Sequence, residues 1–175
     1  MKTSLRLILF SIGLLTGCSK SSPEPEPEFY VSATIGDKEW IANVNNSQNT
    51  PVAATISQNL VVVVAAQNAD NATTALGVVF PESITLNTAV AIDPAQYLAL
   101  AYSISETEGY SADPSKGGSG TLTVTRFDEA AGIVEGTFMG EAIHNKNGSR
   151  IRISNGRFRS AIYKTSVTTP PPGKR

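Results

Sequence analysis

The sequence predicts an all-β protein: a single antiparallel β-sandwich or barrel-like domain of about nine to ten strands, following a lipoprotein signal peptide and an extended linker. Three observations predict it. Val, Ile and Thr dominate residues 29–167, with Gly and Asn as punctuation. No stretch of that region sustains an apolar period of about 3.6 residues. Several alternating apolar and polar runs are joined by two-residue turns of the kind that closes hairpins.

The chain opens with an export signal. Lys2 and Arg6 form a cationic end, residues 7–15 make an apolar run interrupted by Ser11, and Leu15, Thr16, Gly17 and Cys18 spell a bacterial lipobox. Cys18 is the only cysteine, so it is read as the atom that receives lipid rather than as a disulfide partner. The apolar run is far short of the ~20 residues that a spanning helix needs. Residues 1–17 are therefore expected to be removed, leaving a domain held by more than one acyl chain on Cys18. Ser19 follows the cysteine where aspartate would argue for inner-membrane retention, which points to the outer membrane. Residues 18–28 carry the lipidated cysteine and then three Pro-Glu pairs. With nothing apolar to bury, this linker favours polyproline geometry and spaces the domain roughly 30 Å from the lipid. Residues 168–175, with Pro170, Pro171 and Pro172, read as a frayed tail.

The β domain, residues 29–167, is long enough for one good core, and with no cysteine after position 18 it relies on packing alone. Phe29, Val31 and Ala33 alternate with polar neighbours up to Gly36-Asp37, a plausible type II′ turn, and Trp40, Ala42 and Val44 continue the inward face. This pairing sets Ala33 opposite Trp40, making Trp40 a core anchor. A second hairpin joins residues 52–57 to 60–66 across Gln58-Asn59, and the unbroken apolar run 60–66 suggests a strand covered on both faces. Further strands are expected near residues 73–80 and 98–104. No repeat stands out at a fixed period.

The last third carries the clearest pattern. Leu122 and Val124 share a face, residues 128–132 turn, and Val134, Gly136, Phe138, Gly140 and Ala142 resume that face. After a turn over residues 145–148, Ile151 and Ile153 must point inward, yet Phe158, Ser160 and Ile162 have the opposite parity. One residue must be absorbed between them, which predicts a β-bulge at Asn155-Gly156. With that register Glu141 faces Arg152 and Glu135 faces Arg159, as solvent-face ion pairs worth at most about 1 kcal/mol each.

The charge pattern excludes one class of partner. All 15 acidic residues lie at or before Glu141, while Lys146, Arg150, Arg152, Arg157, Arg159, Lys164, Lys174 and Arg175 follow it. Removing Lys2 and Arg6 from the 14 basic residues leaves 12 against 15 in the mature chain, a net of −3. Folded, the arginines sit beside glutamate-bearing strands, and no aromatic interleaving is present to stack bases. Nucleic acid is thus not an expected partner. Arg150 and Arg157 are read as unpaired, and an anionic polysaccharide or lipid head group touching them is a less remote partner than nucleic acid.

Catalytic constellations are scarce. His144, the only histidine, abuts a polar turn and is read as solvent-exposed. There is no Gly-x-Ser-x-Gly elbow, phosphate-binding loop or paired-histidine motif, because residues 117–120 lack both the spacing and the lysine. The chain does not read as an enzyme, and no cofactor or resident metal is expected. One stretch reads as either a mobile connector or a binding loop: residues 105–120, a long polar loop with Glu106, Glu108, Tyr110 and Asp113. An exposed tyrosine between carboxylates fits sugar stacking, whereas the acids lack the spacing of a defined calcium loop.

Several of these residues carry a resemblance. The opening strand with Gly36 and Trp40, the run Gly120-Thr121-Leu122-Thr123-Val124-Thr125 with Asp128, the Gly136-Thr137-Phe138 step and Ile153-Ser154-Asn155-Gly156-Arg157-Phe158 are similar to small lipoproteins of the Bacteroidota that carry a C-terminal all-β domain of unknown function. The resemblance covers most of residues 29–163 and implies a β-sandwich or barrel on an outer-membrane lipid anchor. It supplies no catalytic residue. The expected function is that of a non-catalytic binding module for glycan or a partner protein, with a structural or assembly subunit of the cell envelope as the alternative.

Overall fold

The computed structural model describes residues 28–43, 52–69 and 72–164. The expected signal peptide, Cys18, almost all of the linker, Val44 and the tail lie outside the described residues. Among the described residues there is no α-helix, and eleven strands are present, one or two more than expected. They are β1 (Tyr30–Ile35), β2 (Lys38–Asn43), β3 (Val52–Ser57), β4 (Leu60–Ala69), β5 (Ala72–Pro81), β6 (Val90–Ala91), β7 (Ala99–Ser103), β8 (Gly109–Ser111), β9 (Ser119–Asp128), β10 (Ile133–His144) and β11 (Arg150–Lys164). The surplus consists of β6 and β8, of two and three residues, too short to leave an alternation in the sequence.

The strands form one hydrogen-bonded sheet in the order β2-β1-β11-β3-β4-β5-β7-β8-β10-β9-β6, and β10 also pairs with β11. Following neighbours from β11 through β3, β4, β5, β7 and β8 to β10 therefore returns to β11, and seven strands close a ring. The β10–β11 hairpin is the hinge of this closure. β11 is long enough to pair with β1 through Ile153–Arg159 and then with β3 through Ile162–Lys164. On its far side β10 pairs with β9 and then, at Ile143 and His144, with β8. Only the β11–β3 contact is parallel.

Hairpin register follows the turns. Gly36 has φ 61° with no positive φ at Asp37, as a type II′ turn requires, and it sets Ala33 opposite Trp40. Gln58 and Asn59 both take left-handed φ, 53° and 63°, and join β3 to β4. The bulge is where parity demands it: Phe138 pairs with Gly156 but Gly140 pairs with Ile153, and Asn155 absorbs the extra residue at φ 53°. Ile153, Phe158 and Ser160 are consequently all buried.

The core is the inside of this closed sheet. Trp40 is buried and donates its Nε1–H to Thr74 Oγ1 at 2.8 Å, tying β2 to β5 across the interior. Phe158 stacks on Phe138 with centroids 6.4 Å apart and meets Phe80 at the same distance. Burying each such ring contributes roughly 1.5–3 kcal/mol. The β4 run is not covered on both faces: Val61, Val63 and Ala65 are buried, but Val64 is 43 % exposed. Among the described residues no second layer covers its outer face.

One repeat is hidden in the connections. Asp93-Pro94 and Asp113-Pro114 each open a short 3₁₀ turn, Pro94–Gln96 and Pro114–Lys116, and each ends on a residue in the left-handed region, Tyr97 or Gly117. In both, the aspartate Oδ1 accepts the backbone N–H two residues on, from Ala95 at 3.0 Å and Ser115 at 2.9 Å. The two turns are cross-linked reciprocally, since Ile92 N–H donates to Gly120 O and Ala112 N–H donates to Leu100 O. Hydrogen bonds from the Ser115 hydroxyl and backbone hold the Asp113 carboxyl below its ordinary pKa. A depressed pKa adds stability above the ordinary value of 3.8 and loses it as pH falls through the depressed one. The thermal unfolding gap between wild type and Asp113→Ala is therefore expected to be widest near neutrality and to narrow in acid. A gap of constant width on a pH series would remove the carboxylate from that account.

Candidate functional site

The stretch 105–120 is not one long loop. Strand β8 and the Pro114–Lys116 turn divide it, and what remains open is the tip of the β7–β8 hairpin. That tip is built locally: Ser105 Oγ accepts the backbone N–H groups of Thr107 at 3.4 Å and Glu108 at 3.1 Å, while the Ile104 and Ser105 N–H groups donate to Glu108 O. Asn145, from the turn after β10, clips onto it. Its Nδ2 donates to Thr107 O at 3.0 Å, its Oδ1 accepts from Gly109 N–H at 3.4 Å and its N–H donates to Gly109 O at 3.0 Å. Two hairpin tips are thus joined into one end surface.

A concavity of about 240 Å³ lies there, lined by Glu106, Thr107, Glu108 and Asn145 with the outer-face residues Ala101, Ser103 and Ser111, and it also touches Tyr102 and Tyr110. Three of the four expected loop residues, Glu106, Glu108 and Tyr110, come together. Asp113 does not, because it caps its 3₁₀ turn and pairs with Lys116 at 3.7 Å. Asn145 was not legible as a site residue, since only the tertiary contact between hairpins brings it in.

Tyr110 is not the exposed platform that the sequence suggested. Strand parity places Tyr102 and Tyr110 on the face of Leu100 and Ala112, and both rings pack against the core. They belong to an aromatic row: Trp40 meets Tyr102 edge-on at 6.5 Å, Tyr102 stacks on Tyr110 at 6.4 Å, and Tyr110 meets His144 edge-on at 4.8 Å. Burial pushes the Tyr102 hydroxyl above its ordinary pKa, partly offset by its hydrogen bond with Thr74.

His144 is likewise not an exposed loop residue but is buried at the end of β10. Its Nδ1 accepts backbone N–H groups from Lys146 at 3.1 Å and Asn147 at 3.3 Å, so the ring caps the following turn. Nε2 lies 3.9 Å from Glu108 Oε2, and no hydrogen bond from a serine hydroxyl reaches the ring among the described residues. Glu108 itself bonds Lys146 Nζ at 2.7 Å, and that hydrogen bond holds its carboxyl below the ordinary pKa. Glu106 is left as the exposed carboxylate of the concavity. No cluster of three or more metal-ligating side chains occurs among the described residues.

The expected cross-strand positions hold, with one exchange of partners. Glu135 lies opposite Arg159 and pairs with it at 3.6 Å, sharing its carboxylate with Arg126 at 3.4 Å. Glu141 lies opposite Arg152 but takes its ion pair from Arg150, which also donates to Gly117 O at 3.0 Å. Arg150 is therefore paired, contrary to expectation, and Arg152 has no ion pair among the described residues. No protein-family model, curated protein or solved structure matches the chain.

Proposed function

We propose that the chain is an outer-membrane lipoprotein, anchored through acylated Cys18, whose β domain is a non-catalytic binding module for a glycan or an envelope partner protein. The lipobox and the proline-glutamate linker support the anchor, together with the resemblance to Bacteroidota lipoproteins. The convergence of Glu106, Glu108, Tyr110 and Asn145 on one open concavity carries the binding reading. Its polar rim suits hydrogen bonding to hydroxyls or a peptide, and the inward-turned Tyr110 ring stiffens the floor. Enzymatic use of His144 is disfavoured because its Nδ1 is occupied by backbone donors. The anchor is tested by detergent phase partitioning. Wild type should enter the detergent phase and Cys18→Ala the aqueous phase, whereas equal partitioning would end the lipoprotein reading. The site is tested by glycan-array binding and by pull-down from native membranes with Glu106→Gln/Glu108→Gln, which should weaken capture at least tenfold. Capture that ignores both substitutions would instead favour an assembly subunit docking along β2, which ends the strand order.

A further inference from the structure

Another, wider concavity lies elsewhere on the domain. About 750 Å³ lies over the β-bulge on the outer face of the closed sheet, lined by Ser32, Thr34, Thr137, Met139, Asn155 and Arg157, with Asp37 and Glu39 on its rim. A second hollow of about 430 Å³ adjoins it, shares Met139 and contains Thr121, Ser154 and Arg152. The two hollows meet at Met139 and follow one another across β1, β11, β10 and β9, a trough in two parts.

The bulge creates the chemistry of this trough. Arg152 and Arg157 are an odd number of residues apart and would face opposite sides of a regular strand, but the extra residue at Asn155 turns both outward. Their partners on β10, Glu141 and Thr137, are four residues apart, so the two arginines stand roughly 13 Å apart along the sheet. Every other described arginine has an acidic partner: Arg126 with Asp128 and Glu135, Arg150 with Glu141, and Arg159 with Glu135. Arg152 and Arg157 have none among the described residues. Between them lie hydroxyls and Met139, which is 58 % exposed.

We infer that this trough binds a linear acidic polysaccharide, its carboxylate or sulfate groups taken by Arg152 and Arg157. Guanidinium forks match such anions with paired hydrogen bonds. The serine and threonine rows meet sugar hydroxyls, and the Met139 thioether packs against an apolar ring face. Asp37, Glu39 and Glu141 accept from further hydroxyls while repelling a densely negative ligand. That mixture of charge favours a polymer with sparse anionic groups over a nucleic acid or a bilayer, both of which need a face of one sign. The trough does not touch the hairpin concavity, and binding here does not depend on Glu106 or Glu108.

The test is affinity electrophoresis of the lipidated full-length protein in neutral detergent, with hyaluronate or highly methyl-esterified pectin, both sparsely charged, in the gel and dextran as the neutral control. Wild type should be retarded by an acidic polymer and not by dextran, and added salt should weaken the effect. Arg152→Gln/Arg157→Gln should raise the dissociation constant at least tenfold with unchanged unfolding temperature, whereas the charge-matched Arg126→Gln/Lys116→Gln should bind as wild type. Retardation by neither acidic polymer, equal retardation by dextran, or equal binding by the two double variants overturns the proposal. So does arginine-dependent binding to anionic liposomes with no binding to polymer.

Discussion

Gly156→Ala is expected to cost about 3 kcal/mol or more of folding stability, at the upper end of overpacking effects. A Cβ at this position would sit inside contact distance of both the Phe138 ring and the Phe138 carbonyl oxygen. The ring can yield by rotating, but the oxygen belongs to a strand paired on both sides and cannot. The arrangement is reciprocal. Gly136 pairs with Phe158 as Phe138 pairs with Gly156, and a Cβ on Gly136 would meet Phe158 Cζ and Thr123 O at 2.5 Å. Each phenylalanine fills the space over the glycine opposite it, which brings the two rings together at the centre of the hairpin. For a domain of this size, 3 kcal/mol corresponds to roughly a 10 °C fall in unfolding temperature. Urea denaturation of Gly156→Ala with a loss below about 1 kcal/mol would show that the ring and backbone relax together.

Deleting Asn155 is expected to do more: the domain should lose its cooperative unfolding transition at 25 °C. Without the extra residue β11 has one parity throughout, so either Ile153 or Phe158 with Ser160 must leave the core, where all three are buried. Removing a buried isoleucine or phenylalanine typically costs about 2–5 kcal/mol, which approaches the whole stability of an ordinary domain. Asn155→Gly is the matched control. It loses the 3.3 Å hydrogen bond to Thr34 Oγ1 but reaches the φ of 53° without strain, so a change under about 1 kcal/mol is expected. Near-ultraviolet circular dichroism and amide chemical-shift dispersion distinguish the outcomes, and a deletion variant with native spectra would disprove the parity account.

The bulge was legible because side-chain direction in a strand alternates with period two, and Ile153 and Phe158 cannot both face inward without an insertion. The β1–β2 and β3–β4 registers were legible for the related reason that two-residue turns leave no slack. What was not legible depended on short or distant partners. His144 is buried by Tyr110 on the three-residue strand β8, which no alternation announces. Tyr110 turned inward because its face is set by pairing with Tyr102, not by the polar residues around it in sequence. Ring closure rests on a three-residue parallel contact between β11 and β3. The paired Asp-Pro turns did leave a trace, Ile92-Asp93-Pro94 and Ala112-Asp113-Pro114, but their relation emerges only from the reciprocal hydrogen bonds. In the candidate site, Glu106 and Glu108 could be read from sequence, whereas Asn145 and the Arg152–Arg157 trough required the register.

The placement of β11 sets the order of events when the chain is made. As the last of the described strands, it supplies β1 with its second neighbour, β3 with one of its two, and β10 with the partner that closes the ring. A chain emerging amino end first can form the β1–β2 and β3–β4 hairpins as it appears, but its barrel stays open until Arg150 and everything beyond it are free. Until then the inner faces of both flanks are exposed, and closure of the domain depends on the fifteen residues of β11.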